Sequence, residues 1–137
     1  LKVLGRLNEA ITQYQKVIDI EPNHAEAHYN LGIALNEIGR LEEAAVHYRT
    51  AIDINPNHAN AHNNLGIWLQ EIGRLDEAVV HCLKAIAIEP EFAKAHYNLG
   101  NAFLELEQFN KAVSSFCKTT TEIYNSCFIV YAEKRFH

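Results

Sequence analysis

Basic residues are scarce in this chain of 137 residues, which has 12 lysines and arginines against 17 aspartates and glutamates. The formal net charge is therefore -5, with the histidines counted as neutral. Nucleic-acid affinity is dominated by basic side chains that neutralise phosphates. The charge balance argues against DNA or RNA as a partner.

Long apolar runs are also missing, and none approaches the ~18 residues needed to cross a bilayer. The first residues include Gly5, Arg6, Asn8 and Glu9 and lack the apolar core of a secretory signal. We therefore expect no membrane partner and, by default, a cytoplasmic location. The chain begins at Leu1 without a methionine, and we interpret it as a fragment of a longer protein.

Cysteine is limited to Cys82, Cys117 and Cys127, with no CxxC pair. An odd number of cysteines in apolar, periodic segments favours reduced, buried thiols over a disulfide framework. Catalytic signatures are missing as well, because the chain has neither GxSxG nor a phosphate-binding glycine loop. We predict no enzymatic activity and no cofactor.

A period of 34 residues organises what is present. Residues 25–58 match residues 59–92 at 21 of 34 positions. A period of this length is typical of repeated helical hairpins. The markers of the period are Pro22, Pro56 and Pro90, together with the pairs Leu31-Gly32, Leu65-Gly66 and Leu99-Gly100.

Each repeat is predicted to be a helix-turn-helix, because apolar residues fall on one helical stripe in each half. Gly39-Arg40 forms the short connection, where the glycine can adopt a left-handed cap. A glycine within a helix costs about 1 kcal/mol relative to alanine, so its recurrence indicates close helix packing. The predicted partners on the second helix are Ala44, Ala78 and Ala112, with Tyr48, Cys82 and Phe116 beyond them.

With its Leu-Gly pair, mid-repeat alanine, aromatic residue and proline at this period, the chain resembles the tetratricopeptide repeat family over residues 25–118. The resemblance implies an all-α, right-handed superhelical solenoid of antiparallel helix-turn-helix repeats. The family's large aromatic residue at the fourth position is replaced by histidine, at His28, His62 and His96. The implied single domain, 1–137, comprises a truncated repeat (1–24), two repeats (25–58 and 59–92), a degenerate repeat (93–126) and a C-terminal helical cap or tail (127–137).

Both ends depart from the repeat. Residues 7–20 match only a second helix, with an apolar stripe of Leu7, Ala10, Ile11, Tyr14, Val17 and Ile18. Beyond Cys117 the repeat decays at Thr119–Thr121, so we expect either one helix over about 109–134 or a break followed by a capping helix. The segment 127–131 is also apolar, which is unusual for an outer cap because the end of a repeat array normally presents a polar face.

The resemblance implies that the first helices line a concave groove with a ladder of Asn30, Asn64 and Asn98. A similar ladder lies in the repeat arm of O-linked N-acetylglucosamine transferases, where it holds extended peptides by their main chain. We expect the row of Glu37, Glu71 and Glu105 to be a solvated helix face. The remaining predicted groove residues are Glu26, Tyr29, Ile33, Asn60, Asn63, Ile67, Lys94, Tyr97 and Asn101.

Two other kinds of site are disfavoured. A clamp for a C-terminal carboxylate needs basic residues where Tyr29 and Asn98 stand, although Lys94 matches one of its positions. Histidines four apart could share a metal on a helix, but His24 and His58 fall at or before predicted helix starts. We predict that the chain holds no metal.

The predicted function is a non-catalytic protein-protein interaction module that binds an extended peptide segment of a protein partner. Two alternatives stay open. One is a self-associating scaffold, which would form homo-oligomers through the terminal helices. The other is the substrate-recruiting arm of a larger enzyme.

Overall fold

The computed structural model describes residues 2–106, and in this range the chain forms six helices and no strand. They are α1 (Lys2–Ile20), α2 (Ala25–Glu37), α3 (Leu41–Ile54), α4 (Ala59–Glu71), α5 (Leu75–Ile88) and α6 (Ala93–Glu105). The predicted all-α class of helix-turn-helix repeats is confirmed. The expected C-terminal helix or cap, together with Ala112, Phe116, Cys117 and Cys127, lies outside the described residues.

The chain divides into two compact units within α4, after Ala61. We call residues up to Ala61 unit one and residues from His62 unit two. Of the helices between residues 2 and 106, none combines the length and apolarity that crossing a bilayer requires.

In unit one the core lies between α2 and α3. Both helices bury the stripe predicted from the period, and its members are small or aliphatic apart from one tyrosine. Small side chains allow close packing, while leucine and tyrosine contribute most of the buried apolar area. The buried apolar side chains are Ala27, Leu31, Ala34 and Leu35 on α2 and Ala44, Ala45, Tyr48 and Ala51 on α3.

Helix α1 packs against α2 with the stripe predicted for it. All six stripe residues are half-buried, the other residues described in α1 are exposed, and none is fully buried. The helix begins at Lys2, before the matched segment 7–20, because Lys2 to Arg6 contain no helix-breaking proline and continue the helix. Val3 and Leu4, in this added turn, are exposed by 69% and 49%.

In unit two the core is formed by buried apolar residues of α4, α5 and α6. Cys82 lies in this core as a free thiol, and burial raises its pKa to about 12. The predicted burial is therefore confirmed for Cys82. The other buried apolar residues are Leu65 and Leu69 on α4, Ala78 and Ala85 on α5, and Ala95, Leu99 and Ala102 on α6.

Close approach of the two helices of a hairpin explains the recurring glycine. A Cβ placed on Gly32 would lie 2.6 Å from Cε1 of Tyr48 and 3.2 Å from the carbonyl oxygen of Ala44. At Gly66 it would lie 3.1 Å from Sγ of Cys82. Both contacts involve the partner positions predicted from the sequence.

The turns within the hairpins are closed by Gly39 and Gly73, which have φ angles of +88° and +81°. After Gly39, the Arg40 amide donates to Leu35 O at 2.9 Å, and the Gly39 amide donates to Asn36 O at 3.0 Å. These two bonds form a Schellman motif, which requires a left-handed residue at this point. The predicted left-handed glycine is confirmed.

Histidine caps the first helix of two repeats. The Nδ1 atom of His24 accepts a hydrogen bond of 3.0 Å from the Ala27 amide, and His58 Nδ1 accepts one of 3.1 Å from the Ala61 amide. Both histidines therefore stand at the helix start, as predicted. The capping nitrogen must be unprotonated, since a protonated imidazole has no acceptor.

The glycine contacts predict different costs of adding a methyl group. Gly32→Ala should lower the free energy of unfolding by about 1–2 kcal/mol, because overpacking against the buried Tyr48 ring outweighs the gain in helix propensity. Gly66→Ala should stay within about 0.5 kcal/mol of the wild type, because the contact is looser and the gain offsets it. Urea denaturation measures both, and equal costs would contradict the packing argument.

The histidine caps predict a difference in stability between two substitutions at His24. His24→Ala should lower the free energy of unfolding by about 1 kcal/mol at neutral pH, because the Ala27 amide loses its acceptor. His24→Asn is the matched control, since asparagine is a preferred cap and has no titrating ring. If thermal denaturation gave the same stability for both variants, the imidazole would have no capping role.

Candidate functional site

A cleft of about 440 Å³ lies between α4 and α6 in unit two. Its walls come from one stripe of each helix, because residues three and four apart share a helix face. All but one of the lining residues were predicted as groove residues. They are Asn63, Asn64 and Ile67 on α4 and Ala93, Lys94, Tyr97 and Asn98 on α6.

Two asparagines connect the walls of the cleft. The Nδ2 atom of Asn98 donates a hydrogen bond of 2.8 Å to Oδ1 of Asn63. Asn63 is only 3% exposed, so it mainly holds the amide of Asn98 in place. Asn98 makes no other side-chain hydrogen bond to the described residues, so its Oδ1 and second N–H are available to a ligand.

Among the described residues that line the cleft, Lys94 is the one that carries a charge. It is exposed and forms no ion pair with any residue in the range 2–106. Tyr97, one turn further along α6, is 56% exposed and offers a flat apolar ring with a polar hydroxyl. The cleft thus combines amide groups, one cation and apolar contact area.

At the edge of unit two, Nε2 of Gln70 donates a hydrogen bond of 2.8 Å to Oε1 of Glu105. Glu105 belongs to the glutamate row that we expected to be a solvated face, and it is indeed exposed while it accepts this bond. Asn101, also on α6, is half-buried and does not line the cleft.

In unit one, the predicted groove residues Glu26, Tyr29, Asn30 and Ile33 lie on α2, and Asn60 lies in the first turn of α4. Asn30 and Ile33 are half-buried, whereas Asn60 is exposed.

His58 contacts two of these α2 residues. Its Nε2–H donates to Oε1 of Glu26 at 2.6 Å, and its ring lies 4.6 Å from that of Tyr29. Because His58 Nδ1 accepts from the Ala61 amide, the proton of the neutral ring must be on Nε2. Sequence reasoning missed this contact, since the two partners are 32 residues apart and follow no local pattern.

Within the range 2–106, no three side chains of histidine, cysteine, aspartate or glutamate are arranged to hold a metal ion. His24 and His28, which have the spacing of a helical metal pair, direct Nδ1 to different partners, the Ala27 amide and His47.

Comparison with known proteins identifies the repeats and the fold. The family model described as TPR repeat matches residues 3–39, 34–73 and 69–107. A crystal structure of MamA has a TM-score of 0.76 and 28% identity, and the match covers 94% of this chain and 70% of that one. A MamA RS-1 ArsTM double mutant has a TM-score of 0.77 and 28% identity, with 90% and 68% covered. No curated protein matches the chain.

Proposed function

The chain belongs to the tetratricopeptide repeat family, whose members generally mediate protein-protein interaction, and we propose that its first helices bind an extended peptide segment of a partner. The observation that carries this proposal is the cleft between α4 and α6, with Asn64, Asn98 and Lys94 in its walls. The proposed role is non-catalytic, because the described residues that line the cleft offer amide, ammonium and apolar groups suited to binding.

Asparagine suits recognition of a peptide main chain. A carboxamide offers a donor and an acceptor, which are the groups that pair with a backbone carbonyl and amide whatever the peptide sequence. Asn98 has both groups available and is held by Asn63, so little side-chain entropy is lost on binding. Asn30 occupies the same repeat position in unit one, and the proposed ladder is similar to that of O-linked N-acetylglucosamine transferases.

Side-chain selectivity in the cleft would come from Lys94 and Tyr97. Lys94 lines the cleft, and none of the described lining residues is acidic, so it favours a peptide with a carboxylate. The chain is acidic overall, with a net charge of -5. A carboxylate would therefore be attracted near Lys94 and repelled by the negative charge elsewhere, so Lys94 can determine where an acidic peptide binds. Tyr97 and Ile67 would pack against apolar parts of the same peptide.

Selection from a phage-displayed library of random linear peptides tests the proposal. The wild type should enrich peptides that the triple variant N30A/N64A/N98A binds at least about tenfold more weakly, since each lost hydrogen bond is worth about 0.5–1.5 kcal/mol. The matched control N8A/N36A/N57A removes three exposed asparagines outside the predicted groove and should bind like the wild type. A folded groove variant that retains full affinity would refute the ladder.

The charge of Lys94 predicts the composition of those peptides. Peptides selected by the wild type should be enriched in aspartate or glutamate, and K94E should bind them about threefold to tenfold more weakly, as expected for an exposed charge pair. The difference should shrink with added salt, because exposed charges are screened. Fluorescence anisotropy at two salt concentrations measures it. Equal binding by both proteins would remove Lys94 from the site.

Self-association is the second candidate, and α1 favours it. Its apolar stripe is only half-buried, and Val3 and Leu4 are exposed. Such a face would lose contact with water if two chains packed through it. Light scattering over a range of concentrations tests this candidate, and a mass that stays monomeric would exclude it. The third candidate is recruitment of substrate for an attached enzyme, and a catalytic domain in the same reading frame would support it.

A further inference from the structure

Two histidine pairs join the helices of the hairpins, one pair in each unit. In unit one, Nδ1 of His28 on α2 lies 3.1 Å from Nδ1 of His47 on α3, with ring centroids 5.3 Å apart. In unit two, His62 and His81 have the same separations, 3.1 Å and 5.3 Å. The same geometry in both units indicates that the histidine pair is a recurring part of the hairpin. Each pair shares one hydrogen bond.

The position of the proton in the first pair follows from a third contact. The Nε2 atom of His28 lies 2.9 Å from the carbonyl oxygen of Pro22, which can only accept, so this nitrogen must carry a hydrogen. The Nδ1 atom of neutral His28 is therefore an acceptor. His47 must donate its Nδ1–H to it, which leaves Nε2 of His47 as the basic nitrogen.

This arrangement limits how many protons the pair can hold. One proton can bind Nε2 of His47 and leave the shared hydrogen bond intact. A second proton would have to bind Nδ1 of His28, where it would face the Nδ1–H of His47 across 3.1 Å. The folded pair therefore accepts one proton, whereas two independent histidines in an unfolded chain accept two.

The charged groups around the pairs act in opposite directions. The pKa of His47 is lowered by burial and by neighbouring His28, while the carboxylate of Glu43, one turn earlier on α3, opposes the shift. That carboxylate is already paired with Arg40. On α5, Glu77 and Arg74 form the corresponding ion pair one turn before His81. From the turn between α1 and α2, the uncharged carbonyl of Pro22 contacts the ring of His28.

We propose that the two histidine pairs make the helical hairpins acid-sensitive, because each folded pair takes up one proton fewer than the unfolded chain. Stability should be full above about pH 6.5, the ordinary value for histidine, and should fall as the pH decreases below it.

The first test counts protons in the folded wild type. Long-range ¹H–¹⁵N spectra of the imidazole rings should show the Nε2–H form for His28 and the Nδ1–H form for His47 at pH 7.5. On acidification, Nδ1 of His28 should stay unprotonated for as long as the backbone signals are those of the folded chain. Full protonation of both rings in the folded chain would refute the proposal.

The second test uses a variant that should reverse the effect. In the wild type, two pairs should raise the unfolding equilibrium constant up to about 100-fold per pH unit below pH 6, tenfold for each proton. In the double variant H47E/H81E, a carboxylate would accept a hydrogen bond from protonated His28 or His62, so this rise should flatten or change sign. Urea denaturation between pH 7.5 and 5.5 measures it.

H24N serves as the control, because it keeps a cap acceptor, removes one titrating ring and leaves both pairs unchanged. It should retain most of the steep pH dependence. If H47E/H81E kept the steepness of the wild type, or if H24N alone abolished it, the pairs would not be the source of acid sensitivity. If the double variant failed to fold, the proton count in the wild type would still decide the proposal.

Discussion

The contact between the glycine of the first helix and the side chain opposite it determines the geometry of each hairpin. At Gly32 the Tyr48 ring occupies the space that a Cβ would need, and at Gly66 the Cys82 thiol would lie in tight contact with a Cβ, 3.1 Å away. Such contact is reached only when the two helix backbones approach closely. The distance between the helices is therefore set by a missing side chain, and the positions of the other side chains follow from it.

The histidine pairs are one consequence of that distance. Imidazoles on facing helices can share a hydrogen bond of 3.1 Å only if the backbones are near each other. A large aromatic residue at the fourth repeat position would fill the same space by apolar contact. At His28 and His62 the position is filled by a buried polar ring that shares a hydrogen bond with a half-buried histidine on the facing helix. A buried polar group with a partner avoids most of the desolvation cost that an unpaired one would suffer.

Predictability differed between interactions within one helix and interactions between helices. The buried stripes, the left-handed Gly39 and the half-buried face of α1 were predictable, because each depends on spacing along one helix or on one turn. The bond from Asn98 to Asn63 and the contact of His58 with Glu26 were not. Their partners are 35 and 32 residues apart, so they depend on how one repeat packs against the next. A period identifies equivalent residues, but it does not tell which non-equivalent residues meet.

The histidine nitrogens that accept hydrogen bonds in the described part of the chain do so only while their rings are neutral, and this links stability to the proposed binding surface. Helix α2 carries Asn30 and also His28, and α4 carries Asn64 and also His62. A ligand that binds only the folded hairpins would stabilise them by mass action. It would thereby oppose acid unfolding, and by reciprocity acid would weaken its binding. The apparent affinity of the module for a peptide would then fall at acidic pH even if no group in the cleft changed its charge.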